Sequence, residues 1–425
     1  MKIDLSDLSP VKKSLAVEVD SEEVSKETAA VLRRYSSQAR LPGFRQGKAP
    51  SEMVRKRFAK EIEADVRERL ISRLWREAAQ EKGLMPLGDP VLDELEHEEG
   101  RPFRFKTTFE VLPQFTVKDW KGVEARRPKA EVAEREVAET LESIRQSHAK
   151  FAPDPARLAE PGDVLVADVT EKAEGAEPHT RERMVIEVGS SGNPEAFNAK
   201  IAGAATGSTL DFPVDYPADH PNPALAGKRV DYTVRVHEVR RKELPPLDDE
   251  LAKDMGDFAD LAALTARVRE DLGARKEAAA AGAARQAVLD KVLLANPVPL
   301  PDILVEEEIR HRLEDMVREM MFHGVDPRSV ELDWKQLRDR QEETARKTVH
   351  ARLVLDSIAA AEDVRVERGE IRERIQKEAA RIGEDYEALH ARLSKGGGVQ
   401  ALETQLVREK TLDLVTSLAN IQIAE

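Results

Sequence analysis

The sequence predicts an α+β multidomain protein built from an α+β domain, a small mainly β domain and an all-helical domain. Three observations indicate this order. Strand and helix periodicities are mixed in residues 1–113, short alternating runs between turn residues fill 164–239, and helical periodicity dominates beyond 244. A chain of 425 residues is also too long for one compact core. The predicted boundaries are 1–113, 114–155 for a linker helix, 156–243 and 244–425.

The first domain is predicted to contain a strand, two helices around a loop, and a return strand. The helices are residues 22–38 and a later segment with apolar residues at every fourth position. The residues of that second stripe are Ile62, Val66, Leu70, Leu74 and Ala78. The strands are marked by residues that alternate in polarity, and the marked positions are Leu15, Val17, Val19, Phe103, Phe105, Thr107, Phe109 and Val111.

Helices are predicted on both sides of the β domain. The segment 131–151 is expected to be a helix with one apolar side formed by Val137, Leu141, Ile144 and Phe151. Beyond the segment RRKELPPLDDE, proline and glycine break the helices at 296–302, 324–329 and 395–398. Two later helices carry narrow apolar stripes, which are Ile309, Leu313, Val317 and Met320 on one and Leu402, Leu406, Leu414 and Leu418 on the other.

Composition excludes several classes of function. The absence of cysteine removes disulfides, thiol nucleophiles and thiolate metal sites. Nine histidines are scattered without the spacing of a metal site, so no metal or cofactor is expected. The N-terminus has no apolar signal region and no run approaches the length of a membrane span, which predicts a cytoplasmic protein with no membrane partner. The net charge of −14 argues against attraction of the whole chain to nucleic acid.

The segment LPGFRQGKAP, residues 41–50, looks at first like a phosphate-binding loop. Only three residues separate Gly43 from Gly47, whereas that loop requires four, and Ala49 stands where a metal-binding hydroxyl belongs. The predicted element before the segment is a helix, although a phosphate-binding loop follows a strand. Nucleotide binding is therefore excluded for this loop, and a surface tip that contacts another molecule is the alternative.

Positive charge is concentrated around this loop. Residues 31–60 carry nine Lys or Arg and one acid, Glu52, so their net charge is +8, and the other 395 residues sum to −22. A basic patch on an acidic protein favours docking on a polyanionic surface. The alternative is a solvated helix face that happens to be basic. Phe44 beside Arg45 favours docking, because an aromatic side chain at a loop tip is suited to contact.

A methionine-rich segment, MVREMMFHGV, lies next to the break at 324–329. Its soft apolar members are Met316, Met320, Met321 and Phe322. Methionine is flexible and polarisable, so surfaces rich in it repack around many partners. Core packing is the alternative for any one of these residues, while the cluster as a whole is interpreted as a substrate-binding surface.

The segment GFRQGKAP, in a basic loop of an N-terminal α+β domain, resembles the ribosome-docking signature G-F-R-x-G-x-x-P of the bacterial trigger factor family. Two further segments are also similar to that family, so the resemblance covers essentially the whole chain. They are FEVLPQFTVKDWKGVEARRP, and the stretch from PGDVLVADVT to GKRVDYTVRVHEVRRKELPPLDDELAKDM. The resemblance implies an α+β ribosome-binding domain, a small FKBP-like prolyl isomerase domain and an all-helical cradle domain for substrate.

The function implied by the resemblance is an ATP-independent chaperone that binds nascent polypeptides at the exit tunnel of the large ribosomal subunit. The partners would be rRNA, a ribosomal protein and unfolded chains, with the protein a monomer on the ribosome and a homodimer in solution left open. The signature residues carried over are Gly43, Phe44, Arg45, Gly47, Lys48 and Pro50. Gln46 departs from the family, because many members have a basic residue there.

The resemblance places Phe197, Tyr232 and Ile201 in the isomerase pocket, where a bowl of aromatic side chains would hold the prolyl bond. The positions that depart from the family pattern are Val169, Pro178, Met184 and His220 in place of aromatics, and His179 in place of an acid. We therefore expect the fold to be retained with weak or absent isomerase activity. An active prolyl isomerase that works as a folding catalyst is the alternative function. A periplasmic chaperone is disfavoured by the missing signal region.

Overall fold

The computed structural model describes residues 1–42, 44–97, 101–173, 177–217, 227–328, 330 and 332–424. Two positions singled out in the sequence, Gly43 and His220, lie outside these residues. The chain divides into two compact units, which are Met1–Pro128 with Ala281–Glu425 and Lys129–Ala280. The finer division into four segments stays a prediction.

The described elements mix strands and helices as far as the tenth strand and are helical after it, except for a short last strand. The strands are β1 (Lys2–Ser9), β2 (Lys12–Val19), β3 (Pro86–Glu96), β4 (Phe103–Val111), β5 (Glu124–Arg127), β6 (Lys150–Pro153), β7 (Val164–Ala173), β8 (His179–Glu187), β9 (Thr209–Asp215), β10 (Arg229–Glu243) and β11 (Asn420–Ile423). The helices are α1 (Ser21–Gln38), α2 (Ser51–Arg57), α3 (Ala59–Glu81), α4 (Glu134–Ser147), α5 (Glu195–Ile201), α6 (Asp249–Asp254), α7 (Leu261–Ala295), α8 (Asp302–Phe322), α9 (Trp334–Ala361), α10 (Arg368–Ile382), α11 (Tyr386–Lys395) and α12 (Gly398–Ser417).

A four-stranded antiparallel sheet with strand order β1-β2-β4-β3 organises the N-terminal part of the first unit. Val17 on β2 lies opposite Phe105 on β4, so the alternating apolar residues of both strands share one face. The apolar stripes of α1 and α3 are buried against this face, where Leu70 and Phe103 are fully enclosed. The strands and helices predicted for residues 1–113 are thereby confirmed.

The remainder of the first unit is built mainly from helices, as the sequence predicts for residues beyond 244, but the all-helical prediction was wrong for β11, because that segment pairs with β5. The second half of α7 packs with α9 and α12 in one core, and α8 packs with α9 in another. The short strands β5 and β11 pair in parallel beside the first of these cores. The placement of Leu418 on the apolar stripe of α12 was wrong. That residue follows the end of the helix and is exposed, because the chain turns there and its carbonyl accepts the Gly122 N–H at 3.0 Å.

The second unit contains an antiparallel sheet of strand order β6-β10-β7-β8, with β9 paired to β10. One face of this sheet packs on α5, and the core between them encloses Leu165, Ile201 and Val234 completely. α4, α6 and the first part of α7 form a separate helical core. This unit holds the mainly β region that the sequence predicts between 164 and 239.

The helix predicted for 131–151 is shorter in the structure. α4 ends at Ser147, whose hydroxyl donates to Ile144 O at 2.8 Å. Phe151 lies instead on β6, opposite Lys242 of β10, and its side chain is exposed. The assignment of Phe151 to the helix face was therefore wrong, because pairing with β10 takes the chain out of the helical pattern.

Candidate functional site

The basic loop, residues 40–50, connects α1 to α2 and is held by its own backbone. Phe44 N–H donates to the carbonyl three residues before it at 3.1 Å, and Lys48 N–H donates to Arg45 O at 2.9 Å, which makes two successive turns. Gly47 has a φ of +75°, a conformation that residues with a β-carbon rarely adopt. A β-carbon there would also meet the backbone of α1 at 3.3 Å. The glycine thus lets the loop turn tightly against the helix.

The basic loop exposes one aromatic side chain among cations. Phe44 is 40% exposed, and Arg45, Gln46 and Lys48 are exposed beside it. The following helix, α2, extends this surface with an exposed methionine and a basic last turn, which are Met53, Arg55, Lys56 and Arg57. Val54 on the same helix is fully buried and anchors it. The arrangement offers apolar and cationic groups together on a fixed support.

The second unit contains an aromatic pocket of about 240 Å³. The rings of Phe197 and Tyr232 line it with their centroids 5.1 Å apart, and Phe212 supports them at 5.4 and 6.0 Å. The buried hydroxyls of Tyr216 and Tyr232 are hydrogen-bonded at 2.7 Å. Burial first, and this hydrogen bond second, raise the pKa of Tyr232 well above its usual value, so the phenol stays neutral. A bowl of neutral rings is suited to an apolar ring such as that of proline.

Sequence reasoning placed two of its three pocket residues at the pocket wall. Phe197 and Tyr232 line the pocket, whereas Ile201 is fully buried in the core and is not part of the lining. Phe212 and Tyr216 were missed as aromatic members of this site. Alternation in the segment LDFPVDY places both on the inward face of β9 and just beyond it, and this signal could have identified them.

The wall of the pocket has aliphatic side chains at two positions where the family resemblance suggests aromatics. Val169 and Met184 line it, while Pro178 is exposed just before β8 and takes no part in the lining. Glu171 and Arg181 also line the pocket, and Arg181 Nη2 lies 2.8 Å from a carboxylate oxygen of Glu171. Sequence reasoning did not identify this ion pair, because it depends on the register between β7 and β8.

α8 and α9 form a helical hairpin with a groove of about 640 Å³ between them. The apolar side chains of the groove are Ile309, Leu313, Val317 and Trp334. The four residues assigned to substrate binding lie at the far end of α8. Met316 and Met320 are partly buried, whereas Met321 and Phe322 are 63% and 88% exposed. The hairpin therefore ends in an apolar tip that faces solvent.

The opposite end of this hairpin is fastened by a buried carboxylate. The side chain of Glu308 on α8 is only 5% exposed. It accepts a hydrogen bond from Arg312 Nε at 2.8 Å and pairs with Arg352 Nη2 of α9 at 2.7 Å. Arg312 also donates to Thr348 Oγ1 at 2.8 Å, so two contacts cross between the helices. This network links the two helices that carry the groove.

In the part of the chain that the structure describes, metal-binding clusters and membrane-spanning helices are both absent. Within those residues, no three or more His, Cys, Asp or Glu side chains are grouped so that they could hold a metal ion. No helix there is long and apolar enough to cross a membrane. The candidate sites within the described residues are therefore the basic loop, the aromatic pocket, and the hairpin groove with its apolar tip.

Comparison with known proteins gives one consistent family. The model of the bacterial trigger factor protein matches residues 1–144, and the model of its C-terminus matches 260–417. Trigger factor of Solibacter usitatus is 33% identical over 95% of this chain and 96% of its own length. That of Koribacter versatilis is 31% identical over 96% and 95%.

A solved structure of the trigger factor chaperone matches 98% of this chain and 99% of its own, with a TM-score of 0.57 and 18% identity. This similarity confirms the α+β multidomain fold class that the sequence predicts. The two family models and the curated relatives confirm the family resemblance that the sequence analysis found. The chain therefore belongs to the bacterial trigger factor family of chaperones.

Proposed function

We propose that the chain docks on the large ribosomal subunit through the basic loop and shields nascent polypeptides with its helical hairpin, without ATP. The observation that carries the docking proposal is the exposed Phe44 beside Arg45 and Lys48, in a loop fixed by two turns. The charge distribution supports it, because residues 31–60 sum to +8 while the remaining 395 sum to −22. A polyanion is attracted to this one region and repelled by the rest of the surface.

The chemistry of the basic loop fits rRNA phosphate and an acidic ribosomal protein. The guanidinium of Arg45 offers a planar fork of donors that matches phosphate or carboxylate, and Lys48 acts as a compact charge. Phe44 adds an apolar contact that is not weakened by electrostatic screening. Gln46 contributes hydrogen bonding without charge, so the ionic part of the contact rests on fewer cations than the family signature usually supplies.

Replacing Phe44, Arg45 and Lys48 together by alanine is expected to lower ribosome affinity by about tenfold or more, because two phosphate-pairing charges and an exposed ring are removed. The measurement is co-sedimentation of the full chain with purified ribosomes at several KCl concentrations. The affinity of the wild type should fall more steeply with salt than that of the variant, since fewer counterions are released by the latter.

A matched control removes the same side-chain classes elsewhere on the first unit. Arg76, Lys82 and Met85 are exposed and lie at the end of α3 and beyond it, outside the basic loop. Their triple alanine variant should co-sediment like the wild type. Equal binding by the docking variant and the wild type would show that the loop is not the docking surface.

We further infer that the aromatic pocket binds prolyl peptides and isomerises them slowly. Phe197 and Tyr232 supply a ring-lined floor, which favours this ligand. The side walls at Val169 and Met184 carry no aromatic ring, so a twisted prolyl amide is less well enclosed there. The site thus fits prolyl binding better than rapid catalysis.

Full-length protein at micromolar concentration is expected to accelerate isomerisation of a prolyl tetrapeptide by less than about tenfold over its uncatalysed exchange, which takes tens to hundreds of seconds. A protease-free assay measures it, so that cleavage of the chaperone cannot interfere. Met184→Phe should raise the rate by restoring a ring to the wall, while Met184→Leu serves as the aliphatic control. A fast wild-type enzyme that Met184→Phe does not improve contradicts the account of the pocket.

A further inference from the structure

The aromatic pocket has a charged wall that its apolar surroundings do not explain. Register places Glu171 directly opposite Tyr232, and Arg181 directly opposite Val169. Residues opposite one another in an antiparallel sheet share a face, so both charges lie on the face that otherwise forms the core. The side chains of Glu171 and Arg181 also lie at the pocket, and both line it.

The ion pair of Glu171 with Arg181 is expected to add little to the stability of the folded protein. The side chain of Arg181 is 55% exposed and that of Glu171 is 30% exposed. A pair as open to water as this one contributes little to the folded state, because water already solvates both groups well. Apolar side chains at the same two positions would extend the core face that Val169 and Val234 form. A role in recognition accounts better for two charges at this place.

We propose that Arg181 is a specificity-determining residue that favours an acidic side chain next to the proline of a bound peptide. This inference rests on the proposed function of the pocket as a prolyl-peptide site. Arg181 uses one N–H donor for Glu171, and a guanidinium carries five, so further donors remain for a ligand carboxylate. The hydroxyl of Tyr232 is hydrogen-bonded to Tyr216, and among the described residues of the lining Arg181 is the cationic one.

Glu171 and Arg181 have different roles in the proposed recognition of the peptide. Glu171 is the less exposed partner and holds the guanidinium at the wall through its Oε1. Arg181 is the more exposed partner and is therefore the charge that an incoming peptide meets first. Adjacent residues of a peptide are about 3.8 Å apart at their α-carbons, so a proline on the ring floor brings its neighbour to this wall. A carboxylate there is attracted to Arg181 and an ammonium is repelled.

The test is binding of fluorescein-labelled peptides Gly-Xaa-Pro-Ala-Gly and Gly-Ala-Pro-Xaa-Gly to the full chain, followed by fluorescence anisotropy. Xaa is Glu, Gln or Lys, and peptides with alanine in place of proline report binding that does not depend on proline. The Glu peptide of at least one series should bind about fivefold more tightly than the Lys peptide, with Gln between them. Arg181→Gln should bring this ratio close to one.

Two further variants separate recognition from loss of structure. Glu171→Gln removes the negative charge that offsets Arg181 but keeps a side-chain oxygen that can accept from its guanidinium, so it should increase the preference for the Glu peptide. Arg183→Gln changes an exposed arginine of the same strand that is not part of the lining, and it should leave the ratio unchanged. Proline-dependent binding with equal affinity for Glu and Lys peptides overturns the inference about Arg181 alone. An absence of any proline-dependent binding overturns the proposed pocket function and this inference with it.

Discussion

Replacing Glu308 by alanine is expected to lower the free energy of local unfolding of the α8–α9 hairpin by about 3 kcal/mol. The carboxylate is almost fully enclosed, and it is the shared partner of Arg312 and Arg352. Its removal leaves two like charges near one another without a counter-charge. Both guanidiniums can still reach water, so the expected loss lies at the lower end of the range for broken buried pairs.

Hydrogen exchange of the backbone amides of α8 and α9, read by mass spectrometry, measures this change in the full chain. A local probe is preferable, because a chain with several cores has no single free energy of unfolding. Glu307→Ala is the matched control, since Glu307 is the exposed neighbour on the same helix and its loss should change stability by less than about 0.5 kcal/mol. Unchanged exchange in the Glu308 variant would show that packing alone holds the hairpin together.

The helices and strands that bury apolar residues at regular intervals could be predicted from the sequence. The stripe on α3 was found because its members repeat at every fourth residue, and the structure buries all of them. The sheet strands were found because Val17 and Phe105 belong to alternating runs that face one core. Both patterns follow from local geometry, so no information about distant parts of the chain was needed.

The pairing of short strands that are far apart in the sequence could not be predicted from local patterns. β5 and β11 have four residues each and are brought together only by the tertiary structure, so neither carries a pattern long enough to recognise. Phe151 was assigned to a helix because its spacing fits the stripe of α4, whereas its backbone pairs with β10. A short strand is stabilised chiefly by its partner, and the partner is not part of the local sequence.

The candidate sites also differ in how far the sequence alone could identify them. A contiguous signature identifies the basic loop, and its exposed Phe44 could be inferred from the sequence alone. The pocket is assembled from several strands and one helix, so Phe212 and the pair of Glu171 with Arg181 became evident only when strand register was known. The residues of a candidate site can be predicted from sequence when the site lies in one loop, whereas a site between strands becomes evident only once the fold is known.

The apolar tip of the hairpin gives the second large expected effect. Replacing Met321 and Phe322 by serine should weaken binding of an unfolded client roughly 50-fold, because each side chain contributes up to about 1.5–3 kcal/mol when it becomes fully buried, and a bound client buries them in part. Suppression of aggregation of a denatured enzyme should fall accordingly. The stability of the chaperone should stay the same, because both side chains are exposed in the free protein.

The control for this experiment must remove equal apolar exposure at another place. Met85 and Val91 are both largely exposed on the first unit and lie outside the hairpin. Their double serine variant should retain client affinity if, as we propose, clients bind an adaptable methionine-rich surface beside an apolar groove and not isolated exposed side chains. If both double variants lose affinity equally, then clients bind exposed apolar groups wherever they occur. If neither does, the tip is not the client-binding surface, and the groove lined by Leu313 and Trp334 becomes the next surface to test.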